Sequence, residues 1–275
     1  ASPPAIDSFK DLVRERTARV LDSLPEGETF NWVEHVSIEL TVQMLATLFD
    51  FPFEDRHKLV RWSDIATASE GSELIVDQKA RIAELMECLE YFTKLHNQRV
   101  KEDPKFDLIS MMAHDPNTSN LAPQAYLANI LLLIVGGNDT TRNSMTASIY
   151  GGSKFPEQIE RLRADRSLIP QMVSEVIRWQ TPLAHMRRTA LQDTELGGKL
   201  IKKGDKVVMW YLSGNYDTDM FTDPERIYLD RHNANRHISF GSGIHRFPGL
   251  RNGELQLRTL REAMLVRFNS IVELG

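Results

Sequence analysis

One short segment combines two glycines with an acidic and a hydroxyl side chain inside a predicted helix. It reads Gly136-Gly137-Asn138-Asp139-Thr140-Thr141. Glycine in a helix interior costs about 1 kcal/mol relative to alanine, so a compensating use is expected. Gly136 would let a flat molecule lie against the backbone, and Thr140 is placed to donate to the carbonyl of Gly136. The pattern predicts that Asp139 and Thr140 deliver protons beside a planar cofactor. The alternative is a helix crossing that needs small residues, with Asp139 at the surface.

A second candidate is the pair Glu175 and Arg178. Three residues apart on a helix, the two charges face the same way and can pair. The surrounding residues are apolar, among them Val176, Ile177 and Trp179. We therefore expect a partly buried pair that holds tertiary structure. The alternative is a surface pair worth a few tenths of a kcal/mol, because this spacing arises by chance in many helices.

The third candidate is a glycine-rich loop before the last predicted helix. It reads Phe240-Gly241-Ser242-Gly243-Ile244-His245-Arg246-Phe247-Pro248-Gly249. Free backbone N–H groups that end at a helix N-terminus suit an anion or an electron-rich ligand atom. The loop is not a dinucleotide fingerprint, since Arg246 stands where the third glycine belongs, nor a P-loop, since no Gly-Lys-Ser/Thr follows. A merely structural turn is the alternative.

The elements that must position these residues are mainly helical. Apolar spacing predicts a succession of helices, with the bounds 9–24, 32–51, 55–68, 76–100, 106–113, 123–150, 156–163, 169–180 and 252–268. Gly151-Gly152 is expected to break the helix that Pro123 opens. The β part is minor, with a turn at 196–199 between extended segments and a strand over 206–212. The region 214–249 reads as a long irregular loop, and loops of that length are usually functional.

Composition limits the classes of function. The chain has 275 residues and a net charge of -5, which argues against a nucleic-acid binder. Its single cysteine, Cys88, excludes an internal disulfide and a cysteine-built zinc site. The most apolar stretch, 126–137, is too short for a membrane span, and the N-terminus shows no secretory signal. We predict one mainly α domain with a minor β part over 1–275, located in the cytoplasm.

In this order and spacing, the three segments resemble the cytochrome P450 family, the haem-thiolate monooxygenases. The family's oxygen-activating helix carries Ala/Gly-Gly-x-Asp/Glu-Thr-Thr/Ser, which 136–141 matches throughout. Its E-x-x-R helix matches Glu175 and Arg178. Its haem loop reads Phe-x-x-Gly-x-His/Arg-x-Cys-x-Gly, which the loop matches at Phe240, Gly243, His245 and Gly249. The segments 39–52 and 179–190 are most similar to soluble bacterial members that hydroxylate alkanes, fatty acids or terpenes.

The resemblance implies a fold, a cofactor, partners and residue roles. The fold would be that of cytochrome P450, incomplete at both ends, because the family's segment before Ile6 and its sheet after the last helix are absent. The cofactor would be haem b, and the partners a small apolar substrate and a ferredoxin-type electron donor. Thr140 and Asp139 would steer protons to dioxygen, and Glu175 and Arg178 would brace the fold. The remaining assignments are Arg188 or Arg187 and His245 for the haem propionates, Gly136, Gly241, Phe247 and Gly249 around the haem, and Leu183 and Ala184 near the substrate.

Position 247 departs from the family. The thiolate cysteine falls there, and the residue is Phe247, which cannot ligate a metal. Cys88 lies on a distant helix and matches no ligand position. The sequence thus predicts no metal ligand at the family's site. It leaves open a second function, a pseudoenzyme that keeps the helical scaffold without the chemistry.

A third interpretation is a metal site built from His232, His237 and His245. Their spacing matches no common zinc pattern, and histidines in loops are usually just solvated. This interpretation is therefore the least favoured of the three.

Overall fold

The computed structural model describes residues 9–75, 77–243 and 250–274, apart from the Leu250 side chain. The described residues divide into two compact units, one up to Thr146 and one from Ala147, and the division falls inside a long helix. Most of the structure is helical and the strands are short, as the sequence predicts. The single domain over 1–275 stays a prediction. Within the described part, no helix is long and apolar enough to cross a membrane.

The first unit is built from helices. Their bounds, in chain order, are α1 (Lys10–Asp22), a π-helical segment (Val33–Ile38), α2 (Glu39–Phe49), a 3-10 turn (Phe53–Asp55), α3 (His57–Thr67), α4 (Gln78–Arg99), α5 (Leu108–His114) and the greater part of α6 (Pro123–Lys154). Each predicted helix is present, within a few residues at its ends. The prediction of a single helix over 32–51 missed the π-helical start, and the left-handed Asp50 (φ 47°) ends α2. Asp77 begins α4 by accepting a hydrogen bond from the Ala80 N–H at 2.8 Å.

Aromatic side chains form the centre of the core in the first unit. Phe51 stacks on Tyr91 with ring centroids 4.8 Å apart and meets Trp62 edge-on at 6.2 Å. Phe49 and Phe92 meet at 5.3 Å, and both are fully buried. Such pairs contribute about 0.5–1.5 kcal/mol each beyond the burial of their surface. Ile130 and Ile134 of α6 belong to the same buried cluster, which fixes the helix that carries Asp139 and Thr140.

The second unit combines helices with two small antiparallel sheets. After the end of α6, its elements are α7 (Pro156–Ala164), a 3-10 turn (Arg166–Leu168), α8 (Ile169–Gln180), β1 (His185–Thr189), β2 (Thr194–Leu196), β3 (Lys199–Ile201), β4 (Lys206–Trp210), α9 (Tyr211–Asn215), a 3-10 turn (Ala234–Arg236) and α10 (Leu250–Arg267). β1 pairs with β4 and β2 with β3. Gly197 and Gly198 both have positive φ, at 58° and 73°, as a two-residue hairpin turn requires.

Two predictions about this unit were wrong. The glycines at 151 and 152 do not break the helix, because α6 continues to Lys154. They serve packing instead: a Cβ on Gly151 would lie 2.5 Å from Cδ1 of Ile227. The predicted strand over 206–212 ends at Trp210, where the chain turns into the short helix α9. From Gly214 to Gly243, the described part of the predicted loop is irregular as expected, apart from the end of α9 and the turn Ala234–Arg236.

Candidate functional site

Thr140 lies in α6 with its hydroxyl turned back along the helix. Its Oγ1 donates to the carbonyl oxygen of Gly136 at 2.8 Å, which is the hydrogen bond that the sequence predicts. Ser144 in turn donates to the carbonyl oxygen of Thr140 at 2.8 Å. Hydroxyl side chains that bond to the preceding turn tend to bend a helix and open it locally.

The neighbouring Gly137 has a packing role. A Cβ added there would lie 2.8 Å from Cδ2 of Leu45, so α2 and α6 approach closely at this point. For Gly137, the structure therefore supports the helix crossing that was the alternative interpretation. The placement of a planar molecule against Gly136 stays a prediction.

Asp139 is the acidic member of a three-residue network. Arg142 Nη2 donates to Oδ1 of Asp139 at 2.5 Å and to Oδ1 of Asp64 on α3 at 3.1 Å. The Arg142 side chain is 15% exposed and each carboxylate 30%. Burial alone would lower the pKa of Arg142, but the hydrogen bonds and charges of Asp64 and Asp139 outweigh it and raise that pKa above its usual value. The carboxylate of Asp139 is thus held in place by Arg142 and is still partly exposed to solvent. It is not a lone surface charge.

Glu175 and Arg178 form the predicted pair, and it is fully buried. Arg178 donates from Nε and Nη2 to the two carboxylate oxygens at 2.8 and 2.9 Å, which is a bidentate arrangement. Neither side chain is exposed. The surface pair that was the alternative is excluded. Arg178 also donates to the carbonyls of Asn215, Pro224 and Arg226, so the pair ties α8 to the irregular region.

Sequence reasoning missed further members of this network, among them Arg231 and Asn215. Arg231 donates from Nε to Oε1 of Glu175 at 2.8 Å and is also buried. Asn215 donates to the hydroxyls of Thr181 and Ser239 at 2.8 Å each and accepts from the N–H of Ile238 at 2.8 Å. Neither residue stands at a helical spacing from Glu175. Because Arg178 already donates to both oxygens of Glu175, the sequence carried no signal for a further donor.

Arg188 and Gly241 are brought together in the second unit. The register of β1 with β4 sets Arg188 opposite Val207, with both side chains half-buried on one face. Arg188 lies beside a cavity of about 340 Å³, which is lined by Arg188, Met209, Trp210, Tyr211, Ile238, Gly241 and Ser242. Gly241 has a positive φ of 73°. Of the two arginines that the sequence left open, Arg188 lines this cavity, whereas Arg187 is exposed on the other face of β1.

Arg188 keeps its cationic head available. Its Nη1 donates to the carbonyl oxygen of Arg187 at 3.0 Å, and no described carboxylate pairs with it. A half-buried guanidinium in a cavity, without an acidic partner, suits a carboxylate ligand.

The other predicted site residues are placed as follows. Leu183 is half-buried and Ala184 exposed, just after the left-handed Thr181 that ends α8. The carbonyl oxygen of Ala184 accepts a hydrogen bond from the N–H of Leu212 at 3.1 Å. Their contact with substrate stays a prediction. The predictions for His245, Phe247 and Gly249 lie outside the described residues. Among those that are described, no three His, Cys, Asp or Glu side chains cluster as a metal site would require.

Comparison with known proteins decides the family. The cytochrome P450 family model matches residues 9–274. The chain belongs to the cytochrome P450 family. Curated relatives include linalool 8-monooxygenase of Pseudomonas putida, 33% identical over 267 residues, which cover 97% of this chain and 65% of the relative. Steroid C26-monooxygenase of Rhodococcus jostii (strain RHA1) is 34% identical, with 100% of this chain and 57% of the relative covered.

Solved cytochrome P450 structures show the same fold. CYP153D17 from Sphingomonas sp. PAMC 26605 is 50% identical, with a TM-score of 0.89 over 97% of this chain and 66% of that one. Cytochrome P450-153 from Novosphingobium aromaticivorans is 48% identical, with a TM-score of 0.88 and coverage of 97% and 65%. The chain therefore spans between half and two thirds of the length of these relatives.

Haem is the cofactor of the cytochrome P450 family, and the residues of this chain fit one part of it but not another. Arg188 lines a cavity, and its guanidinium has no carboxylate partner among the described residues, which suits a haem propionate. The proximal side does not fit, because Phe247 offers an apolar ring where the family places its thiolate. That thiolate pushes electron density onto the iron and favours O–O cleavage. Arg188 thus offers a group suited to the edge of a haem, whereas position 247 offers no ligand for its iron.

Proposed function

We propose that the protein is by descent a haem-dependent monooxygenase for a medium-sized apolar substrate, an alkane, fatty acid or terpene, and that Phe247 prevents this reaction in the chain as it stands. Electrons would come from a ferredoxin-type partner. The observation that supports this most directly is the arrangement of Asp139 and Thr140: the carboxylate is held by Arg142, and the hydroxyl is turned towards Gly136. The names of the relatives, a linalool and a steroid monooxygenase, support an apolar substrate. A location in the cytoplasm belongs to the same proposal.

In this proposal, the residues of the chain hold and move protons. Asp139 exchanges protons with solvent, because its carboxylate is still 30% exposed, and Arg142 keeps it oriented. Thr140 takes the next position along α6, and its hydroxyl can accept one proton while donating another. Arg188 orients the cofactor by its carboxylate edge, and the Glu175 network keeps the loop that leads to position 247 in place. When bound, haem supplies the oxygen chemistry of the family.

Phe247 favours a second candidate, the scaffold protein without catalysis. A thiolate at the start of the last helix would be stabilised by the helix N–H groups, whereas a phenyl ring leaves the iron without its anchor. We therefore expect the unmodified protein to bind haem weakly or not at all and to show no turnover. Any haem that is retained would be ligated by water or by a histidine such as His245.

The deciding experiment is the absorbance spectrum of the reduced CO complex after addition of haem. We expect the unmodified protein to lack the long-wavelength Soret band of the family, and Phe247→Cys to gain it together with hydroxylation of an apolar probe such as octane. If Phe247→Cys binds no haem, the scaffold function replaces the proposed one. If the unmodified protein already shows the band, the assignment of position 247 as the ligand is wrong.

A further inference from the structure

A second cavity in the second unit contains a buried cation that has no acidic partner among the described residues. It measures about 570 Å³ and lies between the end of α6, α7, α10 and the segment after α10. It shares no lining residue with the cavity at Arg188. A volume of this size is typical of a small-molecule site. The proposed monooxygenase reaction does not use it.

The cation is Arg261 on α10. Its side chain lines the cavity, and the residue is only 4% exposed. Nη2 donates to the carbonyl oxygen of Ser148 at 2.5 Å and to its hydroxyl at 3.2 Å, both neutral acceptors. Nε is buried without any hydrogen-bond partner. A buried charge that lacks an opposite charge is costly, and an unmade hydrogen bond adds to that cost.

The other charges around the cavity leave it positive. Arg163 contributes a second guanidinium, whose Nη2 donates to the carbonyls of Phe268 and Asn269 at 2.9 and 2.7 Å. Glu160 forms an ion pair with Arg163, with 3.6 Å between Oε1 of Glu160 and Nε of Arg163. The pKa of Arg261 is lowered to about 10, mainly by burial and to a lesser extent by the positive charge of Arg163. Arg261 therefore still carries its charge at neutral pH. Lys154 and the exposed Glu273 complete the charged lining.

The rest of the lining is largely apolar. Ile149 and Ile159 line one side, and Met264 of α10 and Phe268 directly after it line another. A ligand that fills the space must therefore carry both an apolar body and one anionic group. A guanidinium matches a carboxylate or a phosphate through parallel N–H···O bonds.

We propose that this cavity binds an anion with a medium-length apolar tail, whose head group pairs with the buried Arg261 guanidinium. The head group supplies a negative charge that pairs with the Arg261 guanidinium. It also supplies an acceptor for the N–H of Nε, which has no hydrogen-bond partner. The tail fills the apolar part of the space. Each methylene that it buries should tighten binding about fourfold.

The test is calorimetric titration of the protein with decanoate, decyl phosphate and 1-decanol. We expect decanoate or decyl phosphate to bind at least about tenfold more tightly than decanol, because only the anions can pair with Arg261. Whichever anion binds better identifies the head group. Equal binding of decanol and both anions, or no binding of any of them, would overturn the proposal.

Variants locate the binding. Arg261→Met should weaken decanoate at least about tenfold and leave decanol unchanged. The matched control is Arg258→Met, one turn earlier on α10 and exposed, which should change decanoate binding by less than about twofold. Arg188→Met should also leave it unchanged, which separates this cavity from the one assigned to haem. An equal loss in Arg258→Met or Arg188→Met would contradict the assignment.

A merely structural role for Arg261 gives a different result. Because no carboxylate in the described part of the chain pairs with Arg261, Arg261→Met removes a buried charge without leaving an opposite charge unpaired. The melting temperature of the ligand-free variant should therefore not fall, whereas decanoate should raise the melting temperature of the unmodified protein only. A fall in the ligand-free variant, with decanoate binding retained, would show that Arg261 serves the fold. Should the variant not fold, the comparison of anions with decanol still decides.

Discussion

The hydroxyl of Thr140 is the smallest feature from which the proposed reaction can be tested. In protein that carries Phe247→Cys, the further change Thr140→Ala removes the hydroxyl that now donates to Gly136. We expect electron consumption to continue while product falls and peroxide is released, because the proton is no longer positioned. The measurement is the ratio of product to electrons consumed. Thr67→Ala is the control, since the Thr67 hydroxyl makes the same type of hydrogen bond to the preceding turn of α3. An equal ratio of product to electrons consumed in the two variants would exclude Thr140 from the reaction.

Arg142 holds two carboxylates and is the positioning residue of this site. Arg142→Met leaves Asp64 and Asp139 half-buried and facing each other without their shared cation. We expect the free energy of unfolding to fall by about 1–2 kcal/mol, less than for a fully buried pair because solvent screens these charges. Urea unfolding measures it. Arg14→Met is the control, because its partner Asp11 is almost fully exposed, and a loss as large as that of Arg142→Met would show that charge removal alone is responsible.

At the scale of elements, the buried Glu175 network connects α8 with the irregular region. Glu175→Ala leaves Arg178 and Arg231 buried without their shared carboxylate. We expect a loss of about 3–5 kcal/mol in the free energy of unfolding. The control is Glu157→Ala, which breaks an ion pair with Arg226 whose partners are about half exposed, and should cost less than about 1 kcal/mol. A melting temperature of Glu175→Ala no lower than that of the control would contradict the structural role.

The helices were predictable because their signals are local. Apolar spacing and the prolines Pro123 and Pro156 at helix starts act within a few residues of the feature that they determine. The continuation of α6 through Gly151 was not predictable, since it depends on Ile227, which is distant in sequence and lies where a Cβ would be. Local propensity indicated a break, and tertiary packing overrode it.

The residues of the candidate site also differ in whether their partners are near or distant in sequence. Asp139, Thr140, Glu175 and Arg178 could be found because their partners stand three or four residues away on one helix. Arg231 and Asn215 could not, because they reach the network from an irregular region whose path no periodicity describes. The choice between Arg187 and Arg188 also needed the structure, since only strand register determines which of two adjacent side chains faces the cavity.

For the whole molecule, Cys88 offers a probe of cooperativity. It lies fully buried in the core of the first unit, and no other cysteine is present. The pKa of the thiol is raised to about 12, mainly by burial and to a lesser extent by the negative charge of Glu87. A thiol with a raised pKa stabilises the fold below its ordinary pKa and loses this contribution as pH rises towards 12. At pH 8 the folded protein should therefore resist alkylation, so that labelling of Cys88 reports unfolding of its unit.

This probe tests whether residues 1–275 behave as one domain. Glu175 belongs to the second unit and Cys88 to the first, so the two report on different units. If the chain unfolds as one cooperative domain, Glu175→Ala should shift the urea midpoint of Cys88 alkylation as far as it shifts the midpoint of circular dichroism. If the units unfold separately, the alkylation midpoint should stay where it is in the unmodified protein. Alkylation pulses along a urea series on both proteins, with Glu157→Ala as the exposed control, distinguish the two outcomes. Because a loss of about 3–5 kcal/mol moves a urea midpoint by about 1 M or more at the slopes usual for small domains, coincident curves would mean that the stability of α8 reaches the core around Cys88.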